Sequence, residues 1–445
     1  MEIKRDILDE LNRWKDNRHR KPLVLQGARQ VGKSFILKQF GAQSFENCCY
    51  VNFDFEKQLK AEFALTKDPA RLIAYLATVK GMNIKPEKTL IIFDEIQECN
   101  DALNSLKYFR ELMPKQAVVC AGSLLGVALK REGASFPVGN VDFLALHPVS
   151  FSEFIALYNN NLSQFLETHV SASSTSSTST LEKIPELFHT QLIEAYKVYL
   201  CCGGMPETIV RYLESKDWDE VDTVNNQILN AYALDFAKHI DSKDIPRLHR
   251  LWANIQDNLA KEDRRFKYAL IEKSARSREY ENSVEWLVLS GLVNRVFEIN
   301  ALRQPLSSCK NSAAFKLYLA DTGLLRTKFR LAPGTILQGD KLFSEFKGIL
   351  TENYILQSLS RQFGNEIFYW TSGNQAEVEF LFQRGEKIIP VEAKSALSTK
   401  SRSLSEYRKK HTPELSVRFS LKNIEKNGDL LNLPLYLADY IHGFL

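Results

Sequence analysis

Four residues near the N-terminus have the types and spacing of a loop that holds phosphate groups. Gly27, Gly32, Lys33 and Ser34 occupy the fixed positions of the pattern G-x-x-x-x-G-K-[ST] in the stretch GARQVGKS. Glycines let the backbone wrap tightly, so that successive N–H groups point at phosphate oxygens. The lysine ammonium then reaches the β- and γ-phosphates, and the serine hydroxyl binds Mg²⁺. The predicted nucleotide contacts are Gly27, Ala28, Arg29, Gln30, Val31, Gly32, Lys33, Ser34 and Phe35.

An acidic pair further along the chain supplies groups for a metal ion and a water molecule. Asp94 and Glu95 follow the apolar run TLIIF, which is typical of a buried central strand whose carboxyl end faces a ligand. We predict that Asp94 holds Mg²⁺ through water and that Glu95 orients or activates the attacking water. Glu95 and Lys33 are therefore the predicted catalytic residues. The chain has no N-K-x-D guanine pattern, which favours ATP as the nucleotide.

Two further positions near this site keep more than one interpretation. Ser123 ends the strand-like run QAVVCAGS, where it could sense the γ-phosphate or simply form a turn or helix cap. Arg110 and Arg131 are candidates for an arginine that reaches a nucleotide phosphate, although a surface arginine is more often only solvated. The sequence does not decide between these roles.

A predicted hairpin near the C-terminus brings acidic residues together. The runs AEVEFLFQ and KIIPVEAK are joined at Gly385–Glu386, which fits a type II′ turn. In that register Glu379 lies opposite Glu392, and Glu377 lies opposite Lys394, with all four on one face. Opposed carboxylates repel each other unless a cation lies between them.

Mg²⁺ is the natural ion for such an all-oxygen site. We predict a second Mg²⁺ site formed by Glu379, Glu392 and the helix residue Glu352, with Lys394 beside it. An acid on a helix, an acid on one strand and E-x-K on the next form the constellation of the PD-(D/E)xK nucleases. The alternative is an ion-pair network, with Glu377 bonded to Lys394, on a fold without this chemistry.

These residues require an α/β fold whose elements can be placed along the chain. Five strand-like runs with helices between them predict a P-loop NTPase parallel sheet over 1–154. A helical region follows over 155–245, with a serine-rich insert at 171–180 that we expect to be a mobile linker. The segment 246–330 contains two short helices, the first at ALIEKSA, and then a strand, which resembles a winged helix. The last segment, 341–445, is predicted to be an α/β, restriction-endonuclease-like domain.

The winged-helix-like segment is the main argument for contact with DNA. Lys273, Arg276 and Arg278 would be its phosphate contacts, and the second helix would enter the major groove. In ATPases such a module is also often a lid or a subunit contact. The sequence leaves both uses open.

Length and composition limit the class of protein to which the chain can belong. A chain of 445 residues is too long for one core, and its 44% hydrophobic and 25% charged residues are typical of a soluble globular protein. The net charge of +4 is too small to argue for nucleic acid by itself. The chain has seven cysteines without a CxxC pair, a charged N-terminal stretch and no apolar run long enough for a bilayer. These features predict a cytoplasmic protein without a membrane partner.

Together these motifs resemble a family of prokaryotic ATPases with the AAA_14 / DUF4143 architecture. The resemblance covers nearly the whole chain and rests on GARQVGKS, FDEIQ, AGSLLG, FPVG, LHPVSFSEF, GGMPE, KLYLADTGLL, the helix with Glu352, AEVEF and PVEAKS. It implies an ATPase of the additional-strand class, a winged helix and a nuclease-like C-terminal domain. Two positions depart from the family: Glu379 stands where aspartate is usual, and Asn140 stands where arginine is frequent.

Two functional hypotheses follow. In the first, an ATPase acts on DNA, and turnover drives movement or licenses cleavage near Glu379, Glu392 and Lys394. In the second, ATP and ADP states switch contacts with a protein partner, and the nuclease-like module is inactive. The sequence does not give the oligomeric state, so a homo-oligomer also stays open.

Overall fold

The computed structural model describes residues 2–122, 139–175, 181–240, 242–338, 344–373, 376–395 and 402–445. Contacts within the chain define two units. The N-terminal unit comprises Glu2–His147 with the short segment Leu289–Leu292, and the C-terminal unit comprises Pro148–Val288 and Val293–Leu445. The predicted residues Ser123 and Arg131 lie outside the described residues.

The N-terminal unit alternates strands and helices. Its strands are β1 (Leu23–Gln26), β2 (Asn47–Asn52), β3 (Thr89–Asp94), β4 (Ala117–Ala121) and β5 (Asp142–Ala145). Its described helices are α1 (Ile7–Asp16), α2 (Lys33–Ser44), α3 (Lys57–Leu65), α4 (Pro69–Lys80) and α5 (Asn100–Leu112).

The five strands form one parallel sheet in the order β2-β3-β4-β1-β5. This confirms the predicted parallel sheet. Strands β3 and β4 are buried along their whole length, which explains why they are continuous apolar runs in the sequence. Because β4 lies between β1 and β3, the sheet has the additional strand implied by the family resemblance.

Aromatic side chains anchor β3 against the helices on one face of this sheet. Phe93 of β3 makes edge contacts with Phe63 of α3 at a centroid distance of 5.5 Å and with Phe109 of α5 at 6.2 Å. Phe53 completes the cluster, 5.5 Å from Phe63. Each such pair contributes about 0.5–1.5 kcal/mol beyond its buried area. The packing fixes the position of Asp94, which directly follows Phe93.

The C-terminal unit combines helices with a mixed sheet. Its strands are β6 (Val293–Ile299), β7 (Lys310–Leu319), β8 (Phe368–Thr371), β9 (Glu377–Arg384), β10 (Lys387–Ala393), β11 (Ser416–Ser420), β12 (Glu425–Asn427) and β13 (Leu430–Pro434). Its described helices are α6 (Phe151–Tyr158), α7 (Asn160–Thr175), α8 (Glu186–Cys202), α9 (Pro206–Ser215), α10 (Trp218–His239), α11 (Ile245–Leu259), α12 (Ser277–Leu289), α13 (Thr322–Lys328), α14 (Pro333–Leu337), α15 (Ser344–Phe363) and α16 (Arg402–His411). Helix α7 continues into the serine-rich tract as far as Thr175, although the sequence predicts a linker from residue 171.

The eight strands hydrogen-bond in the order β12-β13-β11-β10-β9-β8-β6-β7. Strands β9 and β10 form the predicted hairpin, and Gly385 has φ 58°, as the first central position of a II′ turn requires. The observed pairs Phe382–Ile389 and Phe380–Val391 confirm the predicted register.

The segment predicted to resemble a winged helix differs from the expectation in two ways. ALIEKSA does not form an α-helix: a 3₁₀ turn covers Tyr268–Leu270, and the next α-helix begins at Ser277. The β6–β7 hairpin also joins the C-terminal sheet, since β6 pairs with β8 in parallel, with Phe297 opposite Phe368. The predicted boundary near 330 therefore falls within one hydrogen-bonded sheet. Within the described ranges, no helix has both the length and the apolar character that crossing a membrane requires.

Candidate nucleotide site and C-terminal acidic centre

The predicted phosphate loop connects β1 to α2 and adopts a conformation that depends on glycine. Gly27 has φ 149°, and a Cβ there would lie 2.2 Å from the carbonyl oxygen of Leu146. Gly32 has φ 97° and is the N-terminal cap of α2. Both glycines are therefore required for the local backbone path, and α2 directs its positive dipole end at the loop.

Lys33 lies across this loop. Its Nζ donates to the carbonyl oxygens of Gly27 at 2.8 Å and Ala28 at 2.7 Å, and only 7% of the residue is exposed. Burial lowers the pKa of Lys33 to about 8, while the charges of Glu95 and Asp94 oppose this shift. The structure thus places Lys33, Asp94 and Glu95 close enough for the two carboxylates to act on the charge of the lysine.

Both oxygens of the Asp94 carboxylate are engaged. Oδ1 accepts from the backbone N–H of Glu95 at 3.1 Å, and Oδ2 accepts from the hydroxyl of Tyr50 at 2.7 Å. Glu95 has a left-handed φ of 49°, and the amide of Gln97 donates to its Oε2 at 2.6 Å. A non-glycine residue in this conformation is strained, which is frequent at functional sites.

The donor set fits a magnesium ion bound with a nucleotide. Ser34, in the first turn of α2, contributes a hydroxyl, and Asp94, at the end of β3, contributes a carboxylate. Oxygen ligands of this kind, together with water and phosphate, are what Mg²⁺ prefers. Phe35 follows Ser34 and is 56% exposed, so it is open to solvent at the start of the helix.

Sequence reasoning missed Tyr50, Asn52 and Lys38. Asn52 lies opposite Asp94 in the pairing of β2 with β3, and its Nδ2 donates to the Tyr50 hydroxyl at 3.3 Å. Lys38 of α2 places its Nζ 3.8 Å from the centroid of the Tyr50 ring. The register between β2 and β3 would have identified Tyr50 as a neighbour of Asp94, but a register between parallel strands cannot be read from one sequence.

Arg110 contacts Asn140, the position at which the family often has arginine. Its Nη1 donates to the carbonyl oxygen of Gly139 at 2.8 Å and to Oδ1 of Asn140 at 2.5 Å. These contacts fix the guanidinium within the N-terminal unit.

We call Glu352, Glu377, Glu379 and Glu392 together the acidic centre. Lys394 lies between two of its members, with Nζ 3.5 Å from Glu379 Oε1 and 3.4 Å from Glu392 Oε1. Arg418 of β11 donates to Glu392 Oε2 at 2.7 Å. Burial lowers the pKa of Lys394, but Glu379 and Glu392 outweigh this effect and raise it above its ordinary value.

The other two carboxylates have cations of their own. Glu377 pairs with Lys316, not with Lys394 as the ion-pair alternative supposed, because Lys316 is fully buried on β7 and needs a counter-ion. Glu352 pairs with Arg264 and accepts a hydrogen bond from Tyr318 at 3.2 Å.

These contacts do not fit a divalent metal. In the part of the chain that the structure describes, no three histidine, cysteine, aspartate or glutamate side chains form a group suited to a metal ion. Four protein cations already neutralise the four carboxylates: Arg264, Lys316, Lys394 and Arg418. Among the described residues, none forms a hydrogen bond with the buried Glu379 Oε2. Burial, reinforced by Glu392 and opposed by Lys394, raises the pKa of Glu379 to about 7.

Comparison with protein families agrees with this architecture. Residues 19–155 match the AAA domain family AAA_14, residues 193–334 match a domain of unknown function, DUF8612, and residues 347–436 match another, DUF4143. No curated protein sequence matches the chain at a significant level.

Solved structures provide similar chains at low identity. The Walker-type ATPase PABY2304 of Pyrococcus abyssi is 13% identical with a TM-score of 0.42, over 74% of this chain and 96% of that one. The ORC2 protein of Aeropyrum pernix is 15% identical with a TM-score of 0.35, over 76% and 95%. The RuvB Holliday junction branch migration motor of Thermotoga maritima is 13% identical with a TM-score of 0.29, over 68% and 91%. At these TM-scores the likenesses say nothing about activity.

The parallel sheet, the phosphate loop and the AAA match define a nucleotide-binding ATPase domain. With the DUF4143 match towards its C-terminal end, the chain has the AAA_14 / DUF4143 domain architecture of P-loop ATPases.

Proposed function

We propose that this protein binds ATP with Mg²⁺ and hydrolyses it. The observation that supports this most directly is the convergence of Lys33, Asp94 and Glu95 at the carboxyl edge of one parallel sheet. Ligands of open α/β sheets bind at this edge. The glycine-dependent loop then holds the phosphates and Lys33 neutralises their charge.

Each residue has a separate task in the proposed reaction. Ser34 and Asp94 would hold the metal ion, which would help to neutralise the charge of the phosphates. Glu95 accepts a proton from, or orients, the attacking water, and Gln97 keeps its carboxylate in place through the 2.6 Å hydrogen bond. Lys33 exchanges the carbonyl oxygens of Gly27 and Ala28 for phosphate oxygens.

The test is ATP turnover by the purified chain and by Glu95→Gln. Loss of a general base typically lowers turnover by about 10²–10⁴-fold, whereas ATP binding should persist because Glu95 does not hold the phosphates. Glu98→Gln is a matched control, since Glu98 is on the same loop and pairs with Lys60. Equal turnover in Glu95→Gln and the parent chain would refute the assignment.

For the C-terminal unit we propose an interaction module without metal-dependent cleavage. The ion pairs of the acidic centre support this choice, because a metal ion would have to displace Lys394 from Glu379 and Glu392. The overall activity is then an ATP/ADP switch that changes contacts with a protein partner. The test is the binding of a divalent metal. Titration with Mn²⁺ should give the same result for the parent chain and for Glu392→Ala. Duplex DNA should stay intact with Mg²⁺ or Mn²⁺.

Action on DNA is the competing proposal, and the exposed positions of Lys273, Arg276 and Arg278 support it. It predicts steeply salt-dependent binding to duplex DNA and ATP turnover that rises with DNA. Slow turnover that DNA leaves unchanged, with a nucleotide-dependent assembly state, supports the switch instead. Replacing Arg276 and Arg278 with alanine separates the two, since only the DNA-directed enzyme would lose its stimulation.

A further inference from the structure

We propose that Tyr50 is a positioning residue that fixes the carboxylate of Asp94 for the magnesium ion. The inference rests on the proposed binding of Mg²⁺-ATP and adds a residue to that site. It starts from the 2.7 Å hydrogen bond that the Tyr50 hydroxyl donates to Asp94 Oδ2.

The direction of this hydrogen bond follows from its surroundings. Asn52 Nδ2 can only donate, so the Tyr50 oxygen accepts from it at 3.3 Å and turns its own hydrogen towards Asp94. A tyrosine phenol has an ordinary pKa of about 10 and is therefore protonated at neutral pH. Tyr50 is therefore a permanent donor to Asp94.

A second contact fixes the ring itself. Lys38 Nζ lies 3.8 Å from the ring centroid, a cation–π distance. Lys38 is one turn after Ser34 on α2, the helix that the phosphate loop opens. The ring of Tyr50 thus connects the helix that carries one predicted metal ligand with the strand end that carries the other.

The consequence concerns metal affinity. With Glu95 N–H on Oδ1 and Tyr50 on Oδ2, the carboxylate of Asp94 is oriented before any ion arrives. Hydrogen bonds that orient metal-ligating carboxylates are typically worth about 10–100-fold in metal affinity. Loss of the Tyr50 hydroxyl should therefore raise the Mg²⁺ concentration that the site needs.

The experiment measures ATP affinity of the full chain by calorimetry, in EDTA and over a series of free Mg²⁺ concentrations. We expect Tyr50→Phe to bind ATP like the parent chain in EDTA and to need about tenfold more Mg²⁺ for half of the metal-dependent gain. Tyr75→Phe is the matched control, because Tyr75 is also partly buried in the N-terminal unit but packs against the sheet core. Its Mg²⁺ requirement should not change.

Lys38→Met provides a second variant that leaves the Tyr50 hydroxyl in place. We expect an intermediate Mg²⁺ requirement, since the ring loses one of its two constraints. An unchanged Mg²⁺ requirement in Tyr50→Phe overturns the inference, even if the variant melts at a lower temperature. If the parent chain itself gains no ATP affinity from Mg²⁺, the proposed function fails and the role of Tyr50 fails with it.

Discussion

The backbone N–H of Gly204 donates a hydrogen bond of 2.5 Å to Oδ2 of Asp321, a residue 117 positions away. Oδ1 of Asp321 accepts from the N–H of Leu324 at 2.9 Å and so caps α13. The contact joins the motifs GGMPE and KLYLADTGLL, to which the sequence assigns no chemistry. Their residue types are explained by packing, because Asp321 is fully buried and satisfies backbone groups of both segments.

The first prediction tests this junction with Gly203→Ala. A Cβ at Gly203 would lie 2.2 Å from Asp321 Oδ1 and 2.6 Å from the nitrogen of Gly323, and its φ of 76° with ψ −168° is a region for glycine. We expect a loss of more than about 3 kcal/mol in the free energy of unfolding. Gly364→Ala, at φ 74° with no atom within 4 Å, should lose only about 1 kcal/mol. Denaturant titration of both variants checks the difference, and similar losses would contradict it.

The second prediction concerns the phosphate loop. Lys33→Ala should abolish measurable ATP binding, because the ammonium group is the charge that faces the phosphates. Lys88→Ala, which removes an exposed lysine paired with Glu46, should leave binding unchanged. Calorimetric titration with ATP distinguishes the variants, and binding retained in Lys33→Ala would remove the basis of the loop assignment.

The third prediction uses the asymmetric burial of one ion pair. Lys316 is fully buried, whereas the side chain of Glu377 is 29% exposed. Burial lowers the pKa of Lys316 and Glu377 opposes that shift, so Glu377→Gln leaves an ammonium in the interior without its charge partner. We expect Glu377→Gln to cost about 3–5 kcal/mol, and Lys316→Met to cost less, because the remaining carboxylate reaches water. Urea unfolding measures both, and the reverse order would show that the burial argument is wrong.

The fourth prediction concerns pH. Burial raises the pKa of Glu379 from its ordinary 4.5 to about 7, with Glu392 and Glu377 adding to the shift and Lys394 opposing it. Because the folded pKa lies above the unfolded one, the free energy of unfolding should fall as pH rises from about 4.5 to about 7 and then level off. Glu379→Gln should remove this decline and gain about 1–3 kcal/mol at pH 8, since one pKa unit is about 1.4 kcal/mol.

The control for this pH dependence is Glu414→Gln. Glu414 is 70% exposed and pairs with Lys387 at the surface, so its variant should follow the parent chain at every pH. Thermal unfolding from pH 5 to pH 8 provides the comparison. Curves for Glu379→Gln and the parent chain that stay parallel would show that Glu379 is not the titrating group.

The sequence allowed those parts to be predicted whose geometry is set locally. Gly385 fixes the hairpin turn, and this turn determines which residues of β9 and β10 lie opposite each other. The loop from Gly27 to Ser34 is likewise defined by its glycines. The partners of the acidic centre were missed because Arg264, Lys316 and Arg418 come from elements far apart along the chain. Tyr50 was missed for the same reason, since its role depends on the pairing of β2 with β3.

The pairing of β6 with β8 also determines how the C-terminal unit can respond to a load. Each strand from β7 to β12 hydrogen-bonds to the next, with register shifts at Phe297/Glu298 and Phe368/Trp370. The β6–β7 hairpin and the strands that carry Glu379 and Glu392 therefore belong to one sheet. A displacement of the hairpin should therefore reach those strands through the hydrogen bonds of the sheet. A ligand bound at either end of this sheet would therefore also shift the strands at the other end.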